Sequence, residues 1–306
     1  MDAIGAGLPL FLDAVRFHRL RREGAVRILF LVALLAALAP GFVPQGTGIG
    51  GATDWIAGIL RDAAASGTMA AGGRTAAAAF SLLSEQWGLL VSRFDLLDAL
   101  WIAASLVSPA VLALVATLYA NLYVDDLRGR TDGKPVVRTL RALPRLLLLY
   151  VLVQLPFALG SSLVLVSSLL FMLSAALMVL LSSAYTMGLF LAVPGIVLVL
   201  ALCLSPLLAT EAGQRTGPAL AGSAKLTKRL KMRLAFLDLT IVLGMNLPST
   251  LLQWPFAAGD TTGLAMGAIG AFFTALTWMM LGRLHGKVYH LLAAPPDVVL
   301  PSAKPA

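Results

Sequence analysis

The sequence predicts an all-α, polytopic integral membrane protein: a helix bundle of about six transmembrane helices with additional interfacial amphipathic helices. Three observations predict it. Charged residues are 12% of the 306-residue chain and hydrophobic residues 59%, with a mean hydropathy of +0.88. Soluble domains carry about 25% charged residues, so this chain has too few charges to coat a water-facing surface. The apolar residues also fall into runs of the roughly 17–25 residues that a bilayer crossing requires. The basic residues sit between those runs, where a net charge of +8 marks membrane topology and anionic head groups rather than nucleic acid.

The first run, about Ala25–Val43, follows Arg16, Arg19, Arg21, Arg22 and Arg27 and is expected to be a retained anchor. A cleaved signal peptide is its rival, but the n-region is long for one. Further spans are expected at about Leu97–Tyr123, Leu146–Met172, Met187–Thr210, Leu234–Phe256 and Leu264–Leu284. Between the first two lies the only sizeable segment away from the bilayer, about 45–95. It reads as a Gly-rich opening, a short helix around Trp55–Ala65, and an amphipathic helix at Thr75–Phe94 lying in the interface. The rest, 1–294, is expected to be a single transmembrane domain, with a disordered tail at 295–306.

Charge placement sets the parity. With six spans, only Arg61, Arg74 and Arg93 of the 23 Lys and Arg residues fall outside. The others cluster before span one, in the loops 128–145 and 215–233, and after span six. This positive-inside bias places both termini in the cytoplasm of a bacterial cell, with the chain in the inner membrane. There is a faint internal echo: Arg130-Thr-Asp-Gly-Lys-Pro135 precedes span three, Arg215-Thr-Gly-Pro218 precedes span five, and Pro40, Pro156 and Pro248 lie near the far ends of spans one, three and five. It suits three hairpins related about an axis along the membrane normal.

The residues carrying a family likeness are Val193-Pro194-Gly195-Ile196 opening span four, and Glu211 with small residues closing it. Ala219-Leu220, Ser223 and Leu226-Thr227-Lys228 follow, and Leu127-Arg128-Gly129-Arg130 leads to Leu143-Pro144-Arg145. On these, the stretch from about Asp98 to Pro255 resembles the membrane-domain family found beside glycerophosphoryl diester phosphodiesterases, and related six-helix bacterial families. The resemblance implies a helical membrane domain and a connection with lipid metabolism. The catalytic barrel that accompanies the domain in some members is absent from these residues, so no phosphodiesterase activity is implied.

Function is expected to be non-enzymatic: an accessory or regulatory component of lipid or envelope processes. Its partners are expected to be membrane lipids with anionic head groups, with other membrane proteins or a second copy as further possibilities, and no nucleic acid. Lys225, Lys228, Arg229 and Lys231, with Arg128 and Arg130, are the candidate anionic-lipid contacts, with a topology anchor as the plainer reading of the basic helix. Charges inside spans are costly and mark sites by default. Asn121, Glu211, Asp238 and Asn246 are therefore a candidate polar cavity, with structural interfacial charges as the plainer reading, and Arg233 within reach of Asp238. Such a cavity, with kinks at Pro109, Pro156, Pro206 and Pro248, would suit the alternative of a transporter or export component. Asp125-Asp126 is expected to be a solvated helix end, and Cys203 a small buried hydrophobe. Nucleotide, hydrolase-elbow and zinc-protease motifs are missing, and Asp132-Gly133 lacks the partners of a phospholipid-synthase motif. No catalytic residue, metal or cofactor is expected, and an enzyme acting on lipid head groups is the remote alternative.

Overall fold

A computed structural model describes residues 7–44, 46–48, 50–51, 92–130, 134–152, 202–253 and 263–293. The expected external helices around 55–65 and 75–91, most of span three with Pro156, the opening of span four with Val193–Ile196, Asp132-Gly133 and the tail 295–306 lie outside these residues. Every described element is helical: α1 (Gly7–Val15), α2 (Glu23–Phe42), α3 (Leu96–Leu127), α4 (Pro135–Arg141), α5 (Ser205–Thr210), α6 (Thr216–Thr227), α7 (Lys231–Gln253) and α8 (Gly263–Ala293). A further apolar helical stretch covers Leu143–Leu152.

Four of these helices, α2, α3, α7 and α8, are long and apolar enough to cross a membrane. Their outward faces are greasy. On α7 the exposed side chains Met232, Phe236, Leu239, Leu243, Leu247 and Leu251 recur every three or four residues, one stripe along a 3.6-residue helix. On α2, Ile28, Leu31 and Leu35 do the same. Facing water, each such side chain would forgo about 1.5–3 kcal/mol of burial; lipid removes that cost. Pro40, Pro109 and Pro248 sit inside α2, α3 and α7, whereas Pro206, expected as a mid-span kink, opens the short helix α5. That position suits proline because the first-turn N–H has no intrahelical partner.

The chain groups into two compact units, one comprising 1–37, 111–149 and 200–306, the other 38–110 and 150–199. In the second unit a reciprocal cap starts α3. The Asp98 N–H donates to Asp95 Oδ1 at 2.9 Å and the Asp95 N–H to Asp98 Oδ2 at 3.1 Å, a capping box built from two aspartates. Gly48 N–H and Thr47 N–H also donate to Asp98 and Asp95. A Cβ on Gly46 would fall 2.0 Å from Asp95 Oδ1, so any larger residue there would push the capping carboxylates aside.

In the first unit, α3 and α8 pack closely and in parallel. Gly282 and Gly286, one helical turn apart, face the backbone of Ala116 and Ala120. Small residues at i and i+4 let two membrane helices approach to backbone contact. Helix α7 runs antiparallel to α8, with Asp238 beside His285 near one end and Gln253 beside Gly270 near the other. Helix α2 is antiparallel to α8 as well: Arg283 donates to the Arg19 carbonyl just before α2, and Phe30 meets Phe272 further along. The start of α2, the end of α3, the start of α7 and the end of α8 therefore share one end of this unit, and that end carries the arginines and lysines.

Two cores fill it. Leu29, Ala33, Val115, Tyr119 and Met279 join α2, α3 and α8; Leu204, Leu207, Leu234, Ile241, Leu284 and Val288 join α5, α7 and α8. A Cβ at Gly282 would lie 2.6 Å from the Ala116 carbonyl oxygen. Gly282→Val is expected to lower stability in detergent by about 1–3 kcal/mol through overpacking, while Gly244→Val, at a position with nothing within 4 Å, has a much smaller effect. Thermal unfolding of the two purified variants checks this, and equal midpoints would contradict the close α3–α8 contact.

Candidate functional site

The polar end of the first unit lies where two helices longer than a bilayer core is thick come together. Helix α3 has 32 residues and α8 has 31, roughly 46–48 Å at 1.5 Å per residue, against about 30 Å of hydrocarbon. Their shared end carries Asn121, Tyr123, Asp125 and Asp126 on α3, and Arg283, His285 and Tyr289 on α8.

Helix α3 ends in a glycine turn. Gly129 has φ +65°, Arg130 N–H donates to the Asp125 carbonyl and Gly129 N–H to that of Asp126. This is a Schellman motif, which favours glycine because a side chain in the left-handed region is strained. The turn aims the arginines on either side of Gly129 at one acceptor. Arg128 Nη1 lies 2.5 Å and Arg130 Nη1 2.7 Å from Glu211 Oε1. Arg138, from α4, donates to Glu211 Oε2 and also to Asp125 Oδ2 at 2.5 Å. The side chains of Glu211 and Asp125 are each 4% exposed. Three guanidinium groups thus neutralise two buried carboxylates, leaving one net positive charge. Arg128 also stacks over Tyr289, 5.8 Å from the ring centroid.

Neutral hydrogen bonds frame this cluster. Asn121, fully buried, donates to Thr139 Oγ1 at 3.1 Å and accepts from Thr210 Oγ1 at 3.0 Å, so one amide joins α3, α4 and α5. Arg145 donates to the carbonyls of Gly213 and Gln214, holding the loop after Glu211. Gly213, with φ +63°, makes the turn there.

A second cluster ties α1 to the long helices. Arg283, its side chain 6% exposed, donates to Asp13 Oδ1 at 3.1 Å. Tyr123 donates to Asp13 Oδ2 at 2.5 Å, and Tyr119 donates to the Phe17 carbonyl. The Arg283 guanidinium carbon lies 4.2 Å from the Tyr123 ring centroid, inside cation–π range. Partial burial alone would raise the Asp13 pKa, but the hydrogen bonds from Arg283 and Tyr123 and the Arg283 charge outweigh it and hold the carboxyl below its usual value.

Of the four candidate cavity residues, Asn121 and Glu211 come together through Thr210 and Arg138. Asp238 is paired instead with His285, Nε2 lying 3.1 Å from Oδ1, and Asn246 is exposed about two turns along α7. Asp238 has this partner rather than Arg233, whose side chain is exposed, because α8 supplies a nearer group. Of the six candidate lipid contacts, Arg128 and Arg130 belong to the Glu211 cluster. Lys225, Lys228 and Arg229 are exposed and Lys231 half-buried, and none of these four forms an ion pair among the described residues. Asp125 corrects the expectation of a solvated pair: it is 2% exposed and held by Arg138, while Asp126 pairs with Arg21 at 3.3 Å. Sequence reasoning gave no role to Arg138, Asp13, Arg283 or Asp98. For Arg283 a usable signal was its place directly after the apolar run of the last span; the other three carry no such mark. No family model matches the chain, and neither the curated proteins nor the solved structures contain a significant match to it.

Two outcomes follow from these charges. Glu211→Gln leaves three guanidinium groups facing one remaining carboxylate and is expected to cost about 3 kcal/mol, measured by thermal or denaturant unfolding in detergent. Glu211→Asp, which keeps the charge, should recover part of that loss. Because Asp13 titrates low in the fold, its contribution is complete above the unfolded value of 3.8 and disappears as pH falls through the folded value. Stability measured downward from pH 6 should therefore decline below about pH 4; in Asp13→Asn the neutral-pH stability is lower and this acid-limb decline smaller.

Proposed function

We propose that this protein is a non-enzymatic component of the bacterial inner membrane, an accessory or regulatory element of lipid or envelope processes that crosses the bilayer six times with both termini in the cytoplasm. The observation that carries the reading is the surface at the junction of α6 and α7. Lys225, Lys228, Arg229 and Arg233 are exposed there without ion-pair partners among the described residues, next to Met232 and Phe236, 82% and 70% exposed. An apolar stripe that ends in free cations matches the boundary between acyl chains and phosphates. The arginines of the Glu211 cluster are by contrast largely neutralised from within, so the anionic-lipid contact is assigned to Lys225, Lys228, Arg229 and Lys231.

The parallel course of α3 and α8 supports the parity, since spans two and six of a six-span chain run the same way. The gathering of basic residues at one end supports the cytosolic assignment of that end. The likeness to the membrane-domain family supports a setting in lipid metabolism. The non-enzymatic reading is supported by how the buried acids are occupied: both oxygens of Glu211 and Oδ2 of Asp125 are taken up by arginines from within the fold.

Reporter fusions after Lys134 and Lys228 are expected to read cytoplasmic; a periplasmic signal from either overturns the topology. Each basic residue near an anionic surface contributes about 1 kcal/mol. The triple change Lys225→Gln, Lys228→Gln and Arg229→Gln is therefore expected to weaken phosphatidylglycerol binding by roughly 3 kcal/mol, on the order of a hundredfold, when titrated in detergent and read by native mass spectrometry. Unchanged binding removes the assignment.

A further inference from the structure

Beside the Glu211 cluster, and separate from the α6–α7 surface, lies a cavity of about 210 Å³. The turn before α2 supplies one wall, with Leu20, Arg21 and Arg22, and the end of α3 supplies the other, with Leu122 and Arg130. Most of the cavity surface is carbon, to which the buried Leu20 and Leu122 and the aliphatic stems of the arginines contribute. Gly129 belongs to the same wall, and a Cβ there would meet nothing within 4 Å, so no side chain closes the cavity at that point.

The charges of the lining do not cancel. Asp125 is 2% exposed and its Oδ2 is taken by Arg138 at 2.5 Å. Asp126 is met by Arg21 Nε at 3.3 Å. Arg22, an exposed residue, and Arg130 add two further positive charges. Glu211 does not offset Arg130 alone, because it is shared with Arg128 and Arg138. The lining is therefore net basic. It also keeps donors for a ligand. Arg130 uses one of its five N–H groups on Glu211, and its side chain is 52% exposed. Arg21 contacts Asp126 through Nε rather than its terminal nitrogens, and is 71% exposed.

This lining selects among ligand classes. A cation, alone or as half of a zwitterion, meets three arginines and two aspartates that are already paired. A small inorganic anion would use the guanidinium groups and leave the carbon surface unused. A phosphodiester brings one negative charge and two terminal oxygens. A phosphomonoester brings a charge of about −1.5 to −2 near pH 7 and three terminal oxygens, which forked donors arriving from two chain segments can share. We propose that this cavity binds a phosphomonoester borne on a carbon body. Arg21, Arg22 and Arg130 hold the phosphate, and the first carbons of the body lie against Leu20 and Leu122. The same group occurs on the diacyl lipid phosphatidate and on soluble glycerol 3-phosphate, and the lining suits either source.

The full chain, purified in a non-ionic detergent, is titrated with dihexanoyl phosphatidate, dihexanoyl phosphatidylglycerol, glycerol 3-phosphate and inorganic phosphate, with bound species counted by native mass spectrometry. Because Lys225, Lys228 and Arg229 would attract any anionic lipid, the titrations are run on their triple variant as well as on the wild type. In both, phosphatidate is expected to bind at least about tenfold more tightly than phosphatidylglycerol and than inorganic phosphate. Glycerol 3-phosphate binding as tightly as phosphatidate assigns the source as soluble; weaker binding assigns it to the membrane. A smaller preference over phosphatidylglycerol, or inorganic phosphate matching phosphatidate, overturns the proposal. Arg21→Gln with Arg22→Gln, two exposed positions outside the helices, should bring phosphatidate down to the level of phosphatidylglycerol, and a preference that survives this change also overturns it. Loss of the α6–α7 contact is read from phosphatidylglycerol in the triple variant, so the failure of either site is seen independently of the other.

Discussion

The close parallel contact of α3 and α8 is the feature on which the polar end of this protein depends. Helices in lipid gain nothing from hiding one apolar surface against another, because acyl chains are equally apolar. What holds α3 to α8 is backbone-level packing at Gly282 and Gly286, followed, beyond the hydrocarbon, by polar side chains that such proximity brings within reach. Arg283 meets Asp13 and Tyr119, and Arg128 meets Tyr289. Were the axes further apart by the width of one larger side chain, these contacts would be replaced by water, and α1 would be left with only its apolar contacts through Leu10 and Ala14.

The arginine–carboxylate cluster poses a separate energetic problem. Burying a carboxylate costs several kcal/mol even after the surroundings relax, and a single ion pair seldom recovers that. Here each buried oxygen of Glu211 meets a guanidinium, and Arg138 divides its two nitrogens between Glu211 and Asp125. Asn121, Thr139 and Thr210 complete the surrounding hydrogen bonds without adding charge. The result is a rigid tie between the end of α3, the start of α4 and the end of α5. Tertiary structure at this end thereby rests on directional contacts as well as on the apolar core around Leu204, Leu207 and Leu284.

Much of the architecture was legible because long apolar runs have few alternatives. The spans expected at Ala25–Val43, Leu97–Tyr123, Leu234–Phe256 and Leu264–Leu284 correspond to α2, α3, α7 and α8. Helices α3 and α8 run on past those spans, since hydropathy marks where lipid stops and not where a helix does: α3 continues to a glycine cap and α8 to Ala293. Asn121 and Glu211 stood out as polar groups in apolar surroundings, but their partners did not. Arg138 and Glu211 are 73 residues apart, and nothing local distinguishes Arg138 from its basic neighbours Arg141 and Arg145. Asp125 and Asp126 looked like one solvated pair, yet successive helix positions differ by about 100°, which turns Asp125 inward to Arg138 and Asp126 toward Arg21.

The turn at Gly129 has a consequence for how this loop can vary. Arg128 and Arg130 reach the same oxygen atom from either side of a residue that lacks a side chain. Their separation in sequence is therefore a fixed length, set by one acceptor 81 residues beyond Arg130. Lengthening the segment by a single uncharged position would swing one guanidinium out of the cluster while leaving the charge untouched. Variation among related chains should respect that spacing more strictly than the identity of the residues around it, a kind of constraint that counting charges cannot reveal.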